Sequence, residues 1–108
     1  MADKRIMCFG DSLTWGWIPV AEGVPTTRYP ADVRWTGVLQ SELGSGFLVI
    51  EEGLSARTTM LSDPTDPRLD GSAYLPSALA SHLPLDLVIL MLGTNDTKAY
   101  FHRTPFEI

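Results

Sequence analysis

Three short apolar runs interrupt an otherwise mixed chain of 108 residues: Arg5–Phe9, Phe47–Ile50 and Leu87–Leu92. None alternates apolar with polar positions, so each is predicted to be a strand buried on both faces, as in a parallel sheet. The third, "LVILML", is the most apolar and is expected to be central. Between the first two, "VRWTGVLQSELG" sets Trp35, Val38, Leu39 and Leu43 at i, i+3, i+4 and i+8, and Gly44 follows as a stop; this predicts a helix. Between the second and third, "GSAYLPSALASHLP" carries Tyr74, Leu75, Leu79 and Leu83, with Pro76 near its start, and predicts another. Strand, helix, strand, helix, strand implies right-handed crossovers and a doubly wound parallel α/β sheet covered on both faces. Residues 18–33 and 57–72, rich in Pro, Asp and Thr, are expected to be long loops of the kind that carry function.

The last residues have the form of a helix start: Thr104 as N-cap, Pro105 at the first position, Glu107 at the third. Only Ile108 follows. No later segment can pair with the free side of the third strand, and two helices are few for two faces. Residues 1–108 are therefore expected to be the N-terminal portion of one larger domain.

Composition narrows the function classes. Apolar residues make up 44% and charged residues 19% of the chain, which are globular values. The net charge of −5, with Lys and Arg scattered, argues against nucleic acid and anionic membranes as partners. The single cysteine, Cys8, sits inside the first apolar run and reads as a core residue. The N-terminal apolar stretch is too short for a secretory leader and no run reaches transmembrane length, so a cytoplasmic protein is expected. Asp63, Asp66 and Asp70 read as turn residues rather than metal ligands. Neither a metal nor a cofactor is expected.

In open parallel sheets, ligands bind beyond the carboxyl ends of the strands. The segments there are "GDSLTWGW", "EEGLSARTT" and "GTNDTK", all small, polar and turn-forming. Ser12 is a candidate nucleophile. A hydroxyl attacking a carbonyl needs a base for its proton and donors for the developing oxyanion. The Ser12 N–H, a second N–H around Ser55-Ala56 and the Asn95 amide could be those donors. The base is missing. His82 precedes the third strand, at the opposite end of the sheet, and reads as a helix C-terminal histidine; His102 has no evident carboxylate to orient it.

These residues resemble the SGNH hydrolases, the GDSL esterases and lipases, and within them the bacterial arylesterase/acyltransferase subgroup. "CFGDSLTWGW" is similar to the first family block, "VIEEGLSART" to the second and "MLGTNDTK" to the third. The resemblance implies the flavodoxin-like three-layer fold, here its first three strands, and a serine esterase working through an acyl-enzyme on small acyl esters. It implies Ser12 as nucleophile, with Ala56 and Asn95 completing the oxyanion site, and acyl transfer to alcohols as a side activity. Asp11, Leu13, Trp17, Thr94 and Lys98 flank these positions and are expected to contact substrate. A homo-oligomer is also implied. Most members have Gly where Ala56 stands; the donor is a backbone N–H, so Ala56 can serve if its φ is negative. The family's D-x-x-H block has no counterpart here, which implies that Asp and His come from sequence outside these residues.

Two other readings use the same rim. It could hold a phosphate or nucleotide without turnover, although neither G-x-G-x-x-G nor a Walker pattern is present. The 108 residues could also be a catalytically incomplete piece.

Overall fold

In a computed structural model, which describes residues 4–108, the first apolar run forms the middle strand and the other two flank it. β1 (Lys4–Gly10) lies in the middle of a three-stranded parallel sheet, flanked by β2 (Phe47–Gly53) and β3 (Leu87–Met91). Its register runs from Lys4 opposite Phe47 to Gly10 opposite Gly53, and from Ile6 opposite Leu87 to Gly10 opposite Met91. Residues Ile6–Gly10 are all buried. Among the described residues β3 pairs only with β1; Leu87 and Leu90, on the strand whose other side is expected to be free within residues 1–108, are more than half exposed. An apolar run shows that a strand is suited to burial; the neighbours decide whether it gets it.

Both predicted helices form. α2 (Trp35–Leu43) ends at Gly44, whose φ of +82° is the backbone a glycine stop supplies. α3 (Gly71–His82) starts at Asp70, whose carboxylate accepts the Ser72 N–H at 3.0 Å. Pro76 lies at its sixth position rather than near its start, so the Ser72 carbonyl loses its intrahelical donor there. β2 runs three residues past the predicted Ile50, through Glu51 and Glu52. Each carboxylate has partners: Glu51 accepts from Thr36 Oγ1 at 2.6 Å and lies 3.2 Å from Arg34, and Glu52 meets His82 Nε2 at 2.7 Å. On its outer edge, β2 is tied by Gln40, which bonds the Val49 N–H and the Phe47 carbonyl, both at 2.8 Å.

Side chains alternate along β1. Met7 and Phe9 face α3 and pack with Ala78, Ile50, Leu75, Leu79, Leu85, Val88 and Leu92. Cys8, beside Glu51 in register, faces α2. Burial pushes its thiol up to about 11, and the Glu51 charge adds to the rise. Residues 104–107 form a 3-10 turn, with the Thr104 N–H donating to the Glu107 carboxylate at 2.9 Å, as the cap pattern predicts.

Candidate active site

The chain turns at the end of β1 directly into α1 (Ser12–Trp15), one turn of helix that the sequence pattern did not reveal. Asp11 caps it: its buried carboxylate accepts the Leu13 N–H at 3.0 Å. Asp11 is thus spent on holding the turn. Ser12 is half-buried at the first helical position, and Leu13 is exposed. Two glycines seat this helix. A Cβ at Gly10 would collide with the Thr14 side chain, and one at Gly53 would come within 2.8 Å of the Trp15 Cα. Behind it, the Trp35 indole N–H donates to Thr14 Oγ1 at 3.1 Å. Thr14 is fully buried.

Beyond β2, the Leu54 N–H donates to the Gly10 carbonyl at 3.2 Å, so the second segment turns alongside the first. Ala56 follows with φ +71°. The negative φ on which its donor role is conditional is not the one the backbone adopts. A left-handed alanine costs about 1–2 kcal/mol relative to the right-handed region. It is the conformation that a glycine would take freely, which accounts for glycine at the corresponding position of the resembled family. No protein acceptor takes the N–H of Ser12 or Ala56 among the described residues, and the Ser12 hydroxyl is likewise unpaired there.

Arg57 was not singled out by the sequence, yet it is buried at the centre of the rim. Its Nη1 donates to the Glu52 carbonyl at 2.8 Å and the Gly10 carbonyl at 3.1 Å. The guanidinium lies 4.1 Å above the Phe9 ring and 5.4 Å from that of Tyr74. Burial lowers its pKa, and the charges of Glu52, Tyr74 and Asp11 oppose that.

The third segment begins after β3 at Gly93, φ +122°, and forms a 3-10 turn over Asn95–Thr97. Asn95 Nδ2 donates to the Arg57 carbonyl at 3.0 Å, leaving its second amide hydrogen for another acceptor. Buried Asp96 accepts from the Thr59 N–H at 3.0 Å and from the Thr59 hydroxyl. Thr94 is exposed. Lys98 approaches the Asp63 carboxylate at 3.8 Å and lies over the Tyr100 ring. Asp63 also accepts from Tyr100 Oη at 2.7 Å and from the Thr65 backbone and hydroxyl, so the 57–72 loop is fastened to the segment after β3. The Thr65 hydroxyl, then the Tyr100 hydroxyl, hold its carboxyl down at about 2. Asp66 and Asp70 cap the turn at Pro67–Leu69 and α3, as turn residues should.

Ser12, Ala56 and Asn95 therefore stand at the ends of three adjacent strands. Trp15 carries Arg28 5.1 Å from its ring, while Trp17 is exposed and pairs through its backbone with Arg28. The histidines stay apart: His82 is held by Glu52, and His102 is exposed in a left-handed turn. A cavity of about 430 Å³ borders Arg57, between Glu52–Leu54 on one side and Pro67, Asp70 and Tyr74 on the other; Ser12 does not line it. Among the described residues, no helix is long and apolar enough to cross a membrane, and no group of His, Cys, Asp or Glu could hold a metal ion.

Comparison with known proteins bears on this rim. The profile of the GDSL-like lipase/acylhydrolase family matches residues 8–108. An aryl esterase from M. smegmatis has 74% sequence identity and a TM-score of 0.94, covering 97% of this chain and 49% of that one. A carbohydrate acetylesterase from Sinorhizobium meliloti has 71% identity and a TM-score of 0.94 over the same shares. An acetylxylan esterase from Xylanibacter ruminicola is 37% identical over 97 residues, covering 87% of this chain and 17% of that protein. The chain thus spans about half the length of the two solved structures and a smaller part of the acetylxylan esterase.

Proposed function

From the premise that the chain belongs to the GDSL-like lipase/acylhydrolase family, we propose that it is the N-terminal portion of one serine esterase domain acting on small acyl esters. The observation that carries this reading is the free hydroxyl of Ser12 on the same rim as three donors without competing acceptors: its own N–H, the Ala56 N–H and the second hydrogen of the Asn95 amide. In the proposed reaction, Ser12 Oγ attacks the ester carbonyl as a base removes its proton. The tetrahedral oxyanion is met by the three donors, and the leaving alcohol departs with a proton. Water then releases the acyl group, or an alcohol does so in the acyl-transfer side reaction. The base is a histidine, oriented by an aspartate, from sequence outside these 108 residues; His82 and His102 are not that base. Acetyl is the favoured acyl group, a reading supported by the similarity to an aryl esterase and to acetylesterases of carbohydrate and xylan. A homo-oligomer is part of the same proposal.

The test is p-nitrophenyl acetate hydrolysis by the complete natural chain and its Ser12→Ala variant. Loss of activity by a factor of about 10³ or more is expected. Retained activity ends the assignment of Ser12.

A further inference from the structure

One residue, through its side chain and its backbone carbonyl, bonds to the ends of all three strands. The Arg57 guanidinium donates to Gly10, the last residue of β1 and two before Ser12, and to Glu52 near the end of β2. Its own carbonyl accepts from Asn95 beyond β3. Ala56 immediately precedes it, strained into the left-handed region. The guanidinium cannot swing away without leaving the faces of Phe9 and Tyr74 and giving up its bonds to the Gly10 and Glu52 carbonyls. Fixing that group fixes the next peptide, which aims one amide hydrogen of Asn95 and leaves the other toward the rim.

We infer that Arg57 is the positioning residue of the oxyanion site, holding the Asn95 amide and the Ala56 N–H in register with Ser12 through its bonds to Gly10 and Glu52. The inference rests on the esterase reading above. It assigns no contact between Arg57 and substrate. Its action is indirect: it fixes where the donors stand when charge develops on the carbonyl oxygen, a requirement of the transition state and not of substrate binding. Its substitution should lower kcat and spare KM. Lysine, which retains a cationic donor for the two carbonyls, should recover most of the loss; methionine, with no donor, should not.

The experiment is a double-mutant cycle in the complete natural chain, with Arg57→Met and Asn95→Ala. Turnover of p-nitrophenyl acetate is counted per serine labelled by a fluorophosphonate, so that unfolded molecules do not enter. Arg57→Met should lower kcat about 30-fold with KM within about 2-fold, and less than about 3-fold when Asn95 is already alanine. Arg57→Lys should stay within about 5-fold of the natural protein. If the methionine variant does not fold, Arg57→Gln, which retains a neutral donor, takes its place in the cycle. Equal losses in both Asn95 backgrounds would overturn the inference. A loss carried by KM, or a lowered Tm with kcat per labelled serine unchanged, would do the same. If the unsubstituted protein neither labels at Ser12 nor turns over the ester, the esterase reading fails first and this inference falls with it. A labelled, active natural protein with uncoupled Arg57 sinks the inference alone.

Discussion

The two faces of the sheet are held by different forces. Toward α3, Met7 and Phe9 meet Ala78 and a ring of leucine, isoleucine and valine side chains, and area removed from water holds the helix. Toward α1 and α2, the contacts are directional: Trp35 to Thr14, Thr36 to Glu51, Arg34 to Glu51. Apolar packing tolerates small shifts because many weak contacts share them, whereas a hydrogen bond weakens steeply once its angle is lost. Ser12 belongs to α1 and so stands on the directional face. The side chain that organises the rim, Arg57, lies on the apolar one, over Phe9. The candidate nucleophile and its surroundings therefore answer to different kinds of substitution.

Phe9→Ala should have the largest effect, about 3–5 kcal/mol of stability by urea unfolding, because it opens a cavity in the packed face. It should also lower esterase activity, since the Arg57 guanidinium loses the ring beneath it. A cost below about 1 kcal/mol would mean that this face is not held by packing. On the other face, Thr36→Val keeps the shape and removes one donor to Glu51. The expected cost is about 1–2 kcal/mol, since the carboxylate keeps Arg34. No cost at all would erase the contrast between the faces.

Acid should act on the loop that Asp63 fastens. The Asp63 carboxyl is held at about 2, against about 3.9 in an unfolded chain, so its bonds stabilise the fold fully above about pH 4 and are lost as pH falls toward 2. In Asp63→Asn, melting curves should lose part of their pH dependence inside that window and keep it elsewhere. An unchanged profile would show that the tie to Tyr100 and Thr65 adds nothing. Ala56→Gly should have the smallest effect: removal of the left-handed strain is partly offset by a freer unfolded chain, which leaves a gain of up to about 1 kcal/mol. A lowered Tm would contradict the strain.

Much of this arrangement was legible in the sequence. Apolar runs gave away β1, β2 and β3, and Gly44 marked a helix end. Ser12, the turn around Ala56 and Asn95 were each marked by a strand stopping at small polar residues. What stayed hidden is long-range. A four-residue helix such as Ser12–Trp15 has too little periodicity to detect, and its cap, Asp11, looks like any turn aspartate. Arg57 carries no local mark: one arginine in a threonine-rich loop looks solvated until register puts the Gly10 and Glu52 carbonyls beneath it. The sign of φ at Ala56 stayed open for a related reason, since alanine itself gives no hint of a left-handed turn. The signal lay in the glycine that usually occupies that position in the family the chain resembles.

The central position of β1 also has a consequence in time. Ile6 finds one neighbour in Val49 and the other in Leu87, some eighty residues later in synthesis. At about 5–20 residues per second, the most buried strand of the sheet waits roughly 4–16 s at the ribosome before its second edge can be covered. Through that interval "IMCF" is a short apolar template open to pairing with other nascent chains. Lys4 and Arg5 before it and Asp11 after it put charge at both ends of the run, where it opposes such pairing while the chain is still being made.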